Sequence, residues 1–178
     1  MSNLPHWDLV VIGGGAAGFF AAITFAESAP GSRVLILEKT AHTLGKVKIS
    51  GGGRCNVTHA CFDPKALADH YPRGSKALIG PFNRWGATDT VDWFSARGVE
   101  LKTEADGRMF PTTDSSQTII DCLQATARQA GVIVKTSTSV TSVSTHHAND
   151  TEEPPHFTFT TNHGDSQQSK SILLATGG

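Results

Sequence analysis

Leu9-Val10-Val11-Ile12-Gly13-Gly14-Gly15-Ala16-Ala17-Gly18 decides the fold: an apolar run breaks into a Gly-x-Gly-x-x-Gly turn. Downstream, Val34-Leu35-Ile36-Leu37 is a second apolar run, closed by Glu38. Strand, glycine turn, helix, second strand and acid, in that order, make a dinucleotide-binding βαβ unit. Each glycine answers a separate demand: Gly13 turns the chain out of the strand, Gly15 lets a pyrophosphate approach the backbone, and Gly18 lets the helix lie close to the strand. Ala22, one turn later, keeps that contact tight. Ala16 and Ala17 sit at the helix N-terminus, whose unpaired N–H groups and partial positive charge suit a pyrophosphate. A carboxylate at Glu38 accepts hydrogen bonds from an adenosine ribose and repels a 2′-phosphate, which disfavours NADP there. An ordinary tight turn would explain the glycines but not Glu38.

Composition narrows the class. The chain has 178 residues, enough for one domain with a real core, and a net charge of −1. No global field recruits nucleic acid or an anionic membrane. Cys55, Cys61 and Cys122 are an odd, sparse set without a CxxC spacing, so neither a disulfide framework nor zinc is expected. The histidines are scattered, with His146-His147 in a polar loop, and no metal site is read. Leu9–Ala26 is uncharged, but its four glycines and the flanking Asp8 mark a buried strand and helix rather than a membrane span or signal peptide. With no targeting signal, the expected location is cytoplasmic.

The pattern predicts a strand over 7–12, a helix over 16–28 and a strand over 33–37, giving a βαβ unit over 7–38 with a right-handed crossover. A glycine-rich loop region covers 40–59. Short helices are expected at 64–71 and 75–85, within a glycine-rich and helical insertion over 40–115. Thr88 is placed to cap a helix over 89–97, which Gly98 stops. A strand at 99–102, a hairpin turn at Asp106-Gly107 and a returning strand at 108–110 follow. Asp114 or Ser115 caps a helix over 116–130, in which Ile119, Ile120, Leu123 and Ala127 recur at helical spacing. This helix and the apolar strand 132–134 make up the segment 116–135. Segments 140–144, 157–161 and 167–171 read as an antiparallel meander over 139–171, with loops at 150–155 and 162–165. Ile172-Leu173-Leu174-Ala175 is then a last parallel strand, leading into Thr176-Gly177-Gly178 over 172–178.

Two further glycine signals stand out. Ser50-Gly51-Gly52-Gly53-Arg54-Cys55-Asn56 exposes successive N–H groups that can ring an anion, with Arg54 as a charged partner; a flexible hinge is the bland alternative. Lys46, Lys48 and Arg54 are either a solvated cluster or phosphate contacts. Thr176-Gly177 follows a strand end, as do Gly13 and Glu38, and ligands in open α/β sheets sit beyond the carboxyl ends of strands. One extended ligand touching all three ends is the economical reading.

These residues resemble the N-terminal part of two-dinucleotide-binding-domain flavoproteins, and more narrowly the BaiN/HI0933-like (YhiN-type) family of FAD-dependent oxidoreductases. The resemblance rests on Val11–Gly18, on Leu37-Glu38-Lys39, and on Gly45-Lys46 through Ile49–Thr58. It continues in Gly107-Arg108-Met109-Phe110-Pro111 and Leu174–Gly178. Ile-Ser-Gly-Gly-Gly-Arg-Cys-Asn over 49–56 is its most specific part. Family members usually read Gly-Lys-Lys-Leu-Leu where this chain has Gly45-Lys46-Val47-Lys48, which moves one charge by a position.

The resemblance implies an α/β, glutathione-reductase-like FAD fold: a Rossmann-like parallel sheet, a helical insertion and a small antiparallel meander. It implies FAD, with pyrophosphate contacts from Gly15, Ala16 and Ala17, ribose contacts from Glu38, and Gly13, Gly18 and Lys39 counted among the cofactor-binding residues. Flavin-side contacts would come from Gly45, Lys46, Ser50, Gly51, Gly52, Arg54, Cys55 and Asn56. Thr176 and Gly177 would line the same cleft, and Val140 would offer its backbone to adenine. The activity implied is NAD(P)H-linked reduction of an activated carbon–carbon double bond in a small-molecule acceptor. A non-catalytic FAD- or ADP-binding module and a flavin-dependent RNA uridine reductase are the alternatives, the latter with nucleic acid as partner only of the full-length parent. The family continues past Gly178 with a substrate domain, so a truncated chain lacking that domain, and inactive alone, is expected.

No catalytic acid is assigned. Cys55 is either a small buried hydrophobe or a group near the flavin. His59 and Tyr71 are possible donors that equally could cap or pack. Asp106 and Arg108 flank a turn, and Trp85, Trp93 and Phe94 are expected in the core.

Overall fold

The computed structural model describes residues 6–146 and 156–177. His147, the expected loop at 150–155 and Gly178 lie outside them. The elements run β1 (His6–Ile12), α1 (Ala16–Ser28), β2 (Val34–Leu37), α2 (Gly45–Gly53), β3 (Thr58–His59), α3 (Pro64–Asp69), α4 (Ser75–Arg84) and α5 (Ala87–Ser95). Then come β4 (Leu101–Thr103), β5 (Arg108–Pro111), α6 (Ser116–Gln129), β6 (Ile133–Lys135), β7 (Val140–His146), β8 (His156–Thr161) and β9 (Ser166–Leu174). They form two compact units, one of residues 1–45 and 123–178, the other of residues 46–122.

The first unit is built on a six-stranded sheet in the order β6-β2-β1-β9-β8-β7. All four residues of β2 are buried, as a parallel strand covered on both faces requires. β1 is parallel to both neighbours, with Ile12 opposite Leu37 on one side and Leu174 on the other. The carboxyl ends of β1, β2 and β9 therefore lie at one edge. α1 buries Gly18, Phe19, Ala22, Ile23 and Ala26, the stripe that a helix presents to a sheet. Trp7, Val10, Leu35, Leu37 and Phe159 form a buried cluster against which Ile12, Val140 and Ile172 pack. The Trp7 indole N–H donates to Gln167 Oε1 at 2.7 Å, satisfying both groups inside the core.

Two elements differ from expectation here. Residues 167–171 and 172–175 are one strand rather than two. β9 pairs antiparallel with β8 over its first half and parallel with β1 along most of its length, so the meander is part of the main sheet. No turn residue interrupts Ser166–Leu174, and the chain has no cause to break. β6 is the sheet's edge, with Ile133 and Val134 exposed rather than buried.

The second unit has the three-stranded antiparallel sheet β3-β5-β4 and the helices α3, α4 and α5. Asp63 caps α3 by accepting from the Ala66 N–H at 2.8 Å, with Pro64 in its first turn. Gly86, not Thr88, is the cap of α5, and Asp89 Oδ2 accepts the Gly86 N–H at 2.7 Å. Thr88 lies inside the helix, which begins two residues earlier than expected. The hairpin turns at Asp106-Gly107, where Gly107 has φ +84°. At the start of α6, Ser115 Oγ accepts the Gln117 N–H at 3.3 Å. Asp114 instead takes φ +52° and pairs with Lys102. The expected loop over 40–59 contains α2, which is helical only to Ile49: Ser50 is extended and Gly51 and Gly52 are left-handed. Trp93 and Phe94 are buried as expected, whereas Trp85, at the end of α4, is 40% exposed.

Among the described residues, no helix is long and apolar enough to cross a membrane.

Candidate functional site

The first unit gathers most of the fingerprint at the carboxyl edge of its sheet. β1 ends at Ile12, and the chain turns at Gly13 with φ +118°. A methyl built at Gly13 would lie 2.2 Å from the Ala175 carbonyl oxygen and 3.0 Å from the Thr176 nitrogen. The Ala175 N–H donates to the Ile12 carbonyl at 2.8 Å. The third glycine signal therefore passes directly beside the first. A methyl at Gly18 would meet the Gly13 carbonyl oxygen at 2.0 Å, so α1 crosses the turn at a distance only glycine permits. Gly14 is also enclosed, with Glu38 Cβ and Thr43 Cγ2 each 3.0 Å from such a methyl.

Gly15 is different. It caps α1 in an extended conformation, and a methyl built there meets nothing within 4 Å. Neither packing nor backbone angle accounts for glycine at this position. Ala16 and Ala17 follow it, both exposed, and no side chain caps the helix. The first N–H groups of a helix have no intrahelical partner, and here they open onto free space with the positive end of the helix dipole.

Glu38 leaves the end of β2 and folds back over this turn. Its Oε2 accepts the Gly14 N–H at 2.8 Å. Its Oε1 accepts the Thr40 N–H at 2.9 Å and the Thr40 hydroxyl at 2.8 Å. Burial alone would raise the Glu38 carboxyl, but the Thr40 and Gly14 N–H groups, the Thr40 hydroxyl and the Lys39 charge together hold it below its ordinary value. A carboxylate offers about four lone-pair sites, so three donors leave room for one more. The sequence pattern gives no sign that Thr40, two residues on, shares this carboxylate.

Around this centre, the Leu44 N–H donates to the Gly14 carbonyl at 2.8 Å, which places Gly45 one residue from the turn. The Thr138 N–H donates to the Glu38 carbonyl at 2.9 Å, two residues before Val140. Val140 itself is half-buried at the start of β7, against the core cluster. Lys39, Thr176 and Gly177 are exposed.

Lys46, Ser50, Gly51, Gly52, Arg54, Cys55 and Asn56 belong to the second unit. There the glycine run wraps tightly: a methyl at Gly51 would lie 2.8 Å from both the Asn56 nitrogen and the Phe110 ring, whereas one at Gly52 meets nothing. The Arg54 guanidinium does not stand open to an anion. It pairs closely with Glu104, lies 3.7 Å from Asp114, and stacks 4.1 Å above the Phe110 ring. Cys55 is buried with φ +63°; burial raises its thiol pKa, only partly opposed by a hydrogen bond with Ser50. Asn56 turns its amide nitrogen to the carbonyls of Thr58 and Met109, at 2.9 and 3.2 Å.

The HI0933-like protein Rossmann domain profile matches residues 7–178. The ribosomal RNA dihydrouridine synthase of Escherichia coli strain K12 is 29% identical over 175 residues, 98% of this chain and 40% of that protein. The 3-dehydro-bile acid delta(4,6)-reductase of Clostridium scindens is 29% identical over 130 residues, 73% of this chain and 31% of that protein. The chain thus spans well under half of these relatives. Among solved structures, THI4 of Thermovibrio ammonificans shares the fold, with a TM-score of 0.65 at 16% identity over 97% of this chain and 58% of that one.

Proposed function

The chain belongs to the HI0933-like family of Rossmann domains, which bind FAD, and on that premise we propose that its first unit grips the ADP half of the cofactor in an oxidoreductase that saturates an activated carbon–carbon double bond, with NAD(P)H as donor. The observation that carries the cofactor grip is the contrast among the fingerprint glycines. Gly13, Gly14 and Gly18 are filled by their own protein, and Gly15 alone faces open space. Space kept free at a helix N-terminus is what a pyrophosphate needs.

Each residue then has a task. The N–H groups at Gly15, Ala16 and Ala17 hold the pyrophosphate. Glu38 offers its remaining lone pair to a ribose hydroxyl, while Gly14 and Thr40 fix the carboxylate's orientation and keep it ionised. Thr176, beside Gly13, borders the same edge. FAD, when bound, supplies hydride transfer, and the protein supplies placement and electrostatics.

Support for the double-bond chemistry comes from the relatives' names, a dihydrouridine synthase and a delta(4,6)-reductase. The first also favours a second reading, in which the acceptor is a uridine in RNA; a net charge of −1 gives that reading no basic footprint within this chain. Flavin fluorescence on FAD titration tests the grip. Anaerobic NADH or NADPH, then an enone or a uridine-containing RNA, tests the chemistry in the longest soluble form of the protein. Bleaching by the nicotinamide and recovery with the enone support the first reading, and recovery with RNA alone the second. Bound FAD that neither nicotinamide reduces leaves a non-catalytic module.

A further inference from the structure

The two edges of the six-stranded sheet are defended differently. β6, at one edge, has three residues and ends in the charge of Lys135. β7, at the other, has seven, and the described residues pair it only with β8. Shortness, charge and proline keep an open edge from pairing with another chain. β7 is long and carries no proline, no lysine or arginine and no carboxylate. Its one irregularity, a register shift between Val140 and Ser142, lies at its start and leaves residues 142–146 regular. Residues 141–146 are all exposed, on both faces of the strand.

β7 is nevertheless held in place. Val143 lies opposite the fully buried Phe159. At the far end His146 lies opposite His156, their rings stacked with centroids 4.6 Å apart. Thr141 Oγ1 donates to the Thr160 carbonyl at 3.1 Å. A strand fixed on one side presents a fixed row of N–H and C=O groups on the other. The sequence of that row reads the same in both directions, Thr141-Ser142-Val143-Ser144-Thr145. An antiparallel neighbour of identical sequence, centred on Val143, sets valine against valine, each Ser142 against the other Ser144, and each Thr141 against the other Thr145. Pairs of β-branched and hydroxyl residues stabilise neighbouring strands, and no charge meets a like charge here.

We propose that two copies of this chain associate through β7, antiparallel about Val143, and join their sheets into one. A palindromic edge fits a second copy of itself, whereas a foreign strand would need no palindrome. The contact is isologous, so it closes at two copies and covers both open edges. It also covers Val143, which is 43% exposed. One strand on each side is a smaller interface than the about 1,200 Å² of a tight complex, so the dimer forms at micromolar concentrations and above. The inference stands on the sheet edge and does not depend on the cofactor reading.

Sedimentation equilibrium of the whole chain, from about 10 µM to about 1 mM, tests it. The mass should rise from that of one chain toward that of two. Alternate amides of residues 142–146 should exchange more slowly with deuterium at the upper concentrations, because every second N–H of the strand faces the partner. Val143→Lys sets like charges opposite each other and should weaken the association by about tenfold or more, as should Val143→Glu. An equimolar mixture of the two variants should restore it, which also shows that both are folded. A mass of one chain at every concentration would overturn the proposal. So would a dimer that Val143→Lys leaves unchanged, a mixture that fails to recover, or assemblies that grow beyond two copies.

Discussion

Glu38 Oε2 accepts the Gly14 N–H at 2.8 Å, so the acid at the end of the second strand clamps the glycine turn at the end of the first. The same carboxylate serves the fold and, in the proposed function, the ribose. Glu38→Gln tests that double use. It keeps one carbonyl acceptor and removes the charge. A hydrogen bond to a charged group contributes about 1.5–3 kcal/mol, so the Kd for FAD should rise about ten- to a hundredfold. Flavin fluorescence titration measures this; unchanged FAD affinity with a lowered Tm would leave Glu38 a turn clamp only.

Acid should loosen the first unit for the same reason. Glu38 is held below its ordinary pKa despite burial, by Thr40 and Gly14. Asp8 is lowered first by the Arg33 N–H and then by Lys170, and Asp165 by Thr161 and then Gln167. A carboxylate with a depressed native pKa contributes stability above its unfolded pKa and loses it as pH falls through the native value. Stability should be flat near neutrality and decline below about pH 4.5, where unfolded carboxylates take up protons. Urea melts across that range would show it, and Glu38→Gln should shallow the decline.

What could be read from the chain follows how local each cause is. α1 runs over Ala16–Ser28 as the pattern predicts, because its start and its apolar face are set by neighbouring residues. Polar Gln167–Ser171 followed by apolar Ile172–Ala175 reads as two segments, although the structure makes one strand, β9. β8 lies alongside only Ser166–Ser169 and β1 alongside Gln168–Leu174, so one strand spans the change, and strand partners are not local. Asp114 reads as a cap by position, but it takes φ +52° and pairs with Lys102, on a strand twelve residues away. The charge on Arg54 was legible, but not its acid, since Glu104 lies fifty residues downstream.

The thiols should differ sharply in reactivity. Cys55 and Cys122 are buried, and Cys61 is half-buried. Burial raises the Cys55 thiol pKa, which lowers its thiolate fraction at mildly alkaline pH. A brief pulse of iodoacetamide on the native chain should label Cys61 first and leave Cys55 unmodified, while guanidinium should expose all three. Peptide mass mapping reads the order. Early labelling of Cys55 would contradict the burial described and revive it as a reactive group.

Gly15→Ala and Gly18→Ala are the sharpest pair, because they separate packing from binding within one motif. A methyl at Gly18 collides with the Gly13 carbonyl oxygen at 2.0 Å, a backbone atom that cannot rotate away. Overpacking of that kind costs about 3 kcal/mol or more, which lowers Tm by about 6–12 °C in a chain of this length. A methyl at Gly15 meets nothing, and the backbone there is extended, so its Tm should fall by only about 1–4 °C, the cost of replacing a glycine helix cap with alanine. Its methyl would instead occupy the pyrophosphate's approach and weaken FAD by about two orders of magnitude. Calorimetric melting and FAD titration on both variants give four numbers. A folded Gly15→Ala chain that binds FAD as well as the parent would remove the observation on which the cofactor grip stands.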